Sequence, residues 1–515
     1  MGLFDGKKGL VLGVANDRSI AWAIAKEILE QGGECGFTHL PDKPDDPKQK
    51  NRRRVSRLTD DYENARFLIP MNVQQDDDIA SVMKTAAETF GKLDFLLHSI
   101  AFDQGRCEYR NRFIRTDGLA EENQAGKSLW AGLRERPDMS LRDGWGARSR
   151  LKDSSSTDVV VHGGVAATSF YQCGEIYEHD PRTLESLGKA SWLNQISEGW
   201  GVSAHTKVDE SNGEMLFFNY AKEFPYMHYG VVDKNRNLVH YIPIELPGPR
   251  LPHDMAFTEN YAILNDLPLF WDPEALKHGA HAVRFFHELP SRFAVVPRRG
   301  KPEEVIWFEA NPTYVLHWIN AYEEGDEVVL DGYTQDPRKG KRTRGLQDSL
   351  APFEMLDINA IGAHAYRWRF NLKTGTVSEG PLEDGISEFG MITPSVAGRP
   401  YQYTWATTAK PGWFLFDGLL RLNVQTGERQ EYKFPDGVYI SESPMAPRTN
   451  SSHESDGYLV TFTTDMNDDR SECLIFDAED ITLGPIASVT GQVVTRLVGA
   501  VEKAAAKISK AIKVV

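Results

Sequence analysis

The sequence predicts a mainly β protein: a long propeller-like middle, preceded by an α/β half domain and followed by an amphipathic helix. Three observations carry that prediction. Strand and helix patterns alternate over the first hundred residues, which implies a parallel sheet with right-handed crossovers. From about Gly105 to Val489 helical periodicity fades, and short β-prone runs recur between Gly, Pro, Asn and Asp. Finally, Val493 to Val515 carries apolar residues at helical spacing. A chain of 515 residues has room for two or three domains, and 41% apolar with 26% charged residues is a globular composition.

The α/β part comes first. Gly9-Leu10-Val11-Leu12-Gly13-Val14 reads as a buried strand, and Ile20 to Leu29 as a helix stopped by Gly32-Gly33. Cys35-Gly36-Phe37-Thr38, Phe67-Leu68-Ile69-Pro70 and Phe95-Leu96-Leu97-His98-Ser99 supply further strands, with a helix from about Ile79 to Phe90. A glycine turn opening onto a helix N-terminus is a ready site for a pyrophosphate, so this half domain is Rossmann-like. Gly13-Val14-Ala15-Asn16-Asp17-Arg18-Ser19-Ile20-Ala21-Trp22 and His98-Ser99-Ile100-Ala101-Phe102 resemble the cofactor motifs of bacterial enoyl-acyl-carrier-protein reductases. The resemblance covers residues 1–103 and implies weak NAD contacts at Gly13, Ala15, Ser19, Ile20, Val73, Ser99 and Ile100. That family's catalytic tyrosine and lysine do not follow in matching context, so reductase activity is not expected.

The β part, residues 104–489, is read from runs such as Asp158-Val159-Val160-Val161, Glu214 to Phe218, Tyr261 to Leu264, Arg292 to Val296 and Tyr458 to Phe462. Hairpin signals lie at Val208 to Glu214 and Asn371 to Thr376. So many short antiparallel strands favour a propeller over a sandwich. Within this region three histidines occupy similar settings: His205, His253 in Pro252-His253-Asp254, and His317. We expect them to converge on one metal. Each taken alone reads as a hydrogen-bonded core or loop residue sooner than as a ligand; the motifs around the trio reverse that. His278 and His281, in a polar loop, are read as non-ligands, and the acidic run Tyr322 to Glu327 as a solvated turn.

Tyr109 to Thr116, the three histidine stretches, Pro290-Ser291-Arg292-Phe293, Ser387-Glu388-Phe389 and Glu442 to Arg448 resemble the carotenoid cleavage oxygenases, with bacterial lignostilbene dioxygenases nearest. The resemblance implies a seven-bladed propeller with a non-haem Fe(II) on its axis, bound by four histidines. It implies cleavage of a conjugated carbon–carbon double bond in a small apolar substrate by O2, giving two carbonyl products. Neutral imidazoles suit Fe(II), and open positions beside them can take dioxygen. The family's ring-orienting glutamates correspond to Glu388 and Glu442, and Gln172 stands at a third such position. Stilbene cleavers tend to carry a lysine where this chain has Tyr171, which counts against a phenolic substrate. No fourth histidine follows Ile481 to Val489, and the last one in the chain is His453. The expectation is therefore a propeller incomplete at both ends, with an impaired iron site. Three parts of unlike character join abruptly, which reads as a fusion, a gene rearrangement or an engineered chimera; an NAD-binding protein and a non-catalytic hybrid are the alternatives in function.

The tail, residues 490–515, places Val494, Leu497, Val498, Val501, Ala505, Ile508 and Ile512 on one stripe, with Lys503, Lys507, Lys510 and Lys513 mostly off it. Such a helix could contact a membrane surface or dock on its own protein. A net charge of −16 and a pI near 5.4 exclude a nucleic-acid binder. Cys35, Cys107, Cys173 and Cys473 form no close pair, which fits reduced thiols in a cytoplasm. No secretory signal is read at Met1 to Lys8, and no apolar run approaches the roughly 20 residues of a membrane span.

Overall fold

The computed structural model describes residues 2–14, 19–42, 48–72, 75–98, 110–131, 139–142, 150–197, 199–277, 282–337, 357–451 and 453–490. The chain forms two compact units, Met1–Glu108 and Tyr109–Val515. In the first, strands β1 (Lys8–Leu12), β2 (Glu34–His39), β3 (Ala65–Pro70) and β4 (Phe95–His98) make a parallel sheet in the order β3-β2-β1-β4. Helices α1 (Ile20–Glu30), α2 (Lys50–Thr59) and α3 (Asp76–Phe90) connect them. Val11, Ala21, Ala25, Ile28, Phe37 and Val55 form the main buried cluster. Helix α2 escapes a reading by periodicity because only Val55 and Thr59 are buried in an otherwise polar run. Helix α3 starts earlier than apolar spacing indicates, since its first turn is acidic.

The turn after β1 needs a glycine: Gly13 has φ of +92°, a conformation that costs other residues. Ser19 precedes α1, and its carbonyl accepts the backbone N–H groups of Trp22 and Ala23. Ile20 opens α1. Of the other expected NAD contacts, Ala15, Val73, Ser99 and Ile100 lie outside the described residues.

The second unit is a β-propeller in which six blades are described. Blade I comprises Asp158–His162, Val165–Ser169, Tyr177–His179 and Ser186–Lys189; blade II comprises Lys207–Asp209, Glu214–Tyr220, Tyr226–Val232 and Leu238–Glu245. Blade III comprises Ala256–Phe257, Tyr261–Asp266, Ser291–Pro297 and Ile306–Ala310; blade IV comprises Tyr314–Glu324, Glu327–Gln335, His364–Asn371 and Val377–Ile386. Blade V comprises Glu388–Met391, Tyr403–Ala409, Phe416–Asn423 and Arg429–Lys433. Blade VI comprises Val438–Ile440, Gly457–Asp465, Arg470–Asp477 and Pro485–Thr490, with Met445–Pro447 paired to its second strand. Each is an antiparallel sheet; most consecutive strands are joined by short turns, with longer connections between Asp266 and Ser291, Gln335 and His364, and Ile440 and Gly457.

The cores lie between neighbouring blades. Ala167 of blade I packs with Met215 and Phe217 of blade II, and Leu216 and Phe218 of blade II with Ala262 and Leu264 of blade III. Phe293 packs with Trp318 and Val328 at the III–IV seam. Tyr322 and Val329 meet Ala406 and Leu420 at the IV–V seam, and Trp405 and Leu419 meet Leu459 and Phe476 at the V–VI seam. No described cluster joins blade VI to blade I, and Val159 and Val161 on the first strand of blade I are each 61% exposed. The seventh blade implied by the resemblance is not among the described residues, and neither are residues 491–515, where the amphipathic helix is expected. Among the described residues no helix is long and apolar enough to cross a membrane.

Candidate metal centre

The first strand of each blade lies innermost, and the first strands of blades I and II, III and IV, and IV and V pack on each other. The residues of interest sit at corresponding places on these strands. Asp158 heads the first strand of blade I, His205 and His253 lie in the short segments just before those of blades II and III, which start at Lys207 and Ala256, and His317 lies in that of blade IV. Glu388 heads the first strand of blade V, and Glu442 follows that of blade VI. One side chain per blade therefore comes to the axis.

The three expected histidines are brought together, with one ligand atom from each lying within 4.8 Å of the others. Nε2 of His205 is 3.1 Å from Nε2 of His253, and the ring centroids are 4.8, 5.0 and 5.2 Å apart. Backbone irregularity aims them. His205 has φ of +62°, and a register shift between Val315 and Trp318 bulges the strand at His317. Bulges re-aim side chains beside functional sites, and a left-handed residue other than glycine persists only where its surroundings enforce it.

Two of the rings are held from behind. Nδ1 of His317 is 2.8 Å from Oε2 of Glu388, whose other oxygen accepts from Nε2 of Gln335 at 3.1 Å. Glu388 is fully buried. Nδ1 of His205 is 3.4 Å from Oδ2 of Asp158. A carboxylate on Nδ1 takes the ring N–H and leaves the Nε2 lone pair facing inward. His253 has its basicity pushed well below the ordinary imidazole range by burial and by the neighbouring His205 and His317 rings, so it stays neutral. Burial works against charge on His317 too, but the Glu388 carboxylate outweighs it and raises its basicity.

Asp158 and Gln335 were not singled out from sequence. Asp158 is legible only as the acid that heads an apolar strand, a pattern shared by many strand starts; Gln335 carries no signal at all. Of the other expected ring-orienting groups, Glu442 is drawn upward by burial, only partly offset by His317 and His205. It makes no hydrogen bond to a histidine among the described residues. Gln172 is half-buried and likewise makes none, while its neighbour Tyr171 has its ring centroid 5.8 Å from that of His253. Burial pushes the Tyr171 phenol up to about 12, so it carries no charge. The run Tyr322 to Glu327 is a hairpin tip, and Glu323 accepts from Thr258 Oγ1 at 2.6 Å and from Asn260 N at 2.9 Å across the III–IV seam. His453 lies apart, its Nδ1 3.2 Å from Ser455 Oγ.

The donor set fits a divalent transition metal: three imidazoles with inward lone pairs, surrounded by carboxylates that offset a cation. On one side of His317 stands an aromatic wall. The ring of Phe389 is 4.6 Å from that of His317, and Phe414 and Phe416 are 6.1 and 5.0 Å from Phe389.

Known proteins match both parts of the chain. Residues 94–497 match the family described as retinal pigment epithelial membrane protein, and residues 13–122 match that described as enoyl-(acyl carrier protein) reductase. The carotenoid 9,10(9′,10′)-cleavage dioxygenase 1 of Phaseolus vulgaris is 30% identical over 426 residues, 77% of this chain and 77% of its own. The isoeugenol monooxygenase of Pseudomonas nitroreducens is 25% identical over 416 residues, covering 78% of this chain and 84% of its own. The crystal structure of Pseudomonas brassicacearum lignostilbene dioxygenase superposes with a TM-score of 0.63 at 27% identity, over 74% of this chain and 80% of that one.

Proposed function

The chain belongs to the retinal pigment epithelial membrane protein family, that of the carotenoid cleavage oxygenases, and from that premise we propose that it is an Fe(II) oxygenase. It cleaves a conjugated double bond, RCH=CHR′ + O2 → RCHO + R′CHO, with no external reductant. The observation that carries this reading is the convergence of His205, His253 and His317, two of their Nε2 atoms 3.1 Å apart. When bound, iron supplies the redox chemistry between dioxygen and the alkene. The protein's own part is positional: Asp158 and Glu388 hold two imidazoles by Nδ1, and burial keeps the third neutral. Phe389, Phe414 and Phe416, whose rings meet edge to face rather than in one plane, give the apolar wall against which a polyene or aryl alkene packs. With the neutral Tyr171 near His253, that wall favours an apolar carotenoid or apocarotenoid chain over a phenolic alkene.

The test is to load the protein anaerobically with Fe(II), admit 18O2, and follow an apocarotenal, a hydroxystilbene and a propenylphenol by mass spectrometry. Two labelled carbonyl fragments from at least one alkene are expected, and none from His253→Ala. Iron-loaded protein that leaves the whole panel intact would overturn the reading. We propose further that three imidazoles hold the iron loosely, so the purified chain carries well under one iron; one tightly retained iron per chain would contradict that.

A second reading concerns residues 1–108. The β3-β2-β1-β4 order with a left-handed Gly13 ahead of α1 is the arrangement that receives a dinucleotide pyrophosphate. It supports weak NAD binding, to be checked by NADH fluorescence titration; no change at millimolar NADH would remove it.

A further inference from the structure

Asp254 follows His253 and is only 3% exposed, yet its side chain reaches two other blades. Its Oδ1 pairs with Nζ of Lys207 at 2.7 Å and accepts the N–H of Met255 at 2.7 Å. Its Oδ2 accepts the backbone N–H of Trp318 at 2.9 Å. The backbone carbonyl of the same residue accepts from Trp318 Nε1 at 3.3 Å and from Asn265 Nδ2 at 2.8 Å. Lys207 lies two residues after His205, and Trp318 one after His317. The partners of this one carboxylate are thus next to each of the three histidines, in blades II, III and IV. The bulge that turns His317 inward is the same irregularity that presents the Trp318 N–H to Asp254.

We propose that Asp254 is a positioning residue that sets the mutual geometry of His205, His253 and His317. The proposal rests on the metal-centre reading above for its consequence, though not for its contacts. An ionised carboxylate suits this place because every partner is a donor: an ammonium and two backbone N–H groups. An asparagine there would turn its NH2 toward one of them, and an alanine would leave Lys207 beside two unanswered amides. In a centre described with only three protein ligands, the rings must be held before metal arrives, because small errors in ligand placement reduce affinity.

The test compares wild type with Asp254→Asn, Lys207→Met and the control Asp331→Asn. Asp331 is equally buried and holds Arg367 at 2.7 Å and Tyr401 at 2.6 Å, but it touches no residue next to a histidine of the trio. Co(II) titration of metal-free protein, read from the visible d–d bands, should show affinity reduced about 10–100-fold in Asp254→Asn, the range typical of lost ligand-supporting partners. Lys207→Met, which spares the two backbone N–H contacts of Asp254, should show a smaller loss. Asp331→Asn should lower the melting temperature without changing Co(II) affinity. Imidazole 15N spectra of the metal-free proteins provide a readout that does not depend on metal. In both Asp254→Asn and Lys207→Met the His205 resonances should move along with those of His253, and in Asp254→Asn those of His317 as well. If only His253 responds, or if Co(II) affinity falls no more than in Asp331→Asn, Asp254 is merely structural and the proposal is overturned. If wild type binds no Co(II) while the rings still shift together, the positioning role stands and the metal reading falls.

Discussion

Asp158 and Glu388 do the same task from opposite sides of the axis, one on His205 and one on His317. Glu388 is enclosed and fixed by Gln335, whereas the Asp158 side chain retains some exposure. Asp158→Ala should therefore weaken Fe(II) or Co(II) binding by about tenfold, at the lower end of what such partners contribute; equilibrium dialysis giving wild-type affinity would remove Asp158 from the site. A different histidine contributes to acid stability. His228 is stacked on Tyr241 at 4.7 Å and meets Trp200 edge-on at 4.3 Å, and its Nδ1 has no hydrogen-bond partner. Burial lowers its pKa from 6.5 to about 4. As pH falls, the unfolded chain takes up this proton first, so the contribution is complete above pH 6.5 and drains away toward pH 4. At most about 3 kcal/mol is involved. His228→Phe should lose less melting temperature between pH 7 and about 4.5 than wild type does; parallel losses would refute this.

At the scale of elements, the bulge in the first strand of blade IV decides where His317 points. Opposite it, Gly332 pairs with Trp318, and a Cβ there would lie 2.4 Å from the Trp318 ring and 3.2 Å from the His317 carbonyl. Gly332→Ala should cost about 1–3 kcal/mol through overpacking and reduce metal content more than a comparably destabilising change on an outer strand, which metal analysis against melting temperature can separate. Strands such as Tyr261–Asp266 and Gly457–Asp465 were legible because apolar β-branched and aromatic runs between turn residues are a local signal. The hairpin at Asp209 to Glu214 was legible because Asn212-Gly213 supplies a left-handed glycine, at φ +75°. Helix α2 was not, since tertiary contacts at two positions hold a run with no apolar face. The bulge at His317 and the left-handed backbone at His205 have no local signature either. The groups that meet them are distant in sequence, Glu388 and Asp254 at His317 and Trp318 and Asp158 at His205, so the histidines could be nominated from sequence while their supporting carboxylate Asp158 could not.

Across the whole second unit, the blades are also tied by charge away from the axis. Asp209 of blade II meets Arg298, between the third and fourth strands of blade III, at 2.7 Å, and Arg298 also holds Glu214 at 2.7 Å. Arg399, between the first two strands of blade V, reaches Asp209 at 3.5 Å and Ser211 at 2.7 Å. Burial alone would raise the Asp209 carboxyl, but Ser211 and Arg298 carry it below the ordinary 3.8. Its stabilising contribution is therefore present above that value and is lost as pH falls through the lowered one. Arg298→Met removes the closer of two guanidiniums from a buried carboxylate that keeps Arg399 and Ser211, and should cost about 3 kcal/mol at neutral pH, the lower end for a broken buried pair, with the deficit shrinking in acid as Asp209 protonates; a deficit that does not change with pH would count against this pair. The radial arrangement has one more consequence. Because each blade delivers its functional side chain on or beside its innermost strand, tolerance to change is graded by distance from the hub. Peptide insertions at the rim hairpins of Gly375 and Gly427, where a Cβ would meet nothing within 4 Å, should be silent, whereas single-residue insertions beside Asp158, His205, His253 or Glu388 should each disconnect one spoke from the centre.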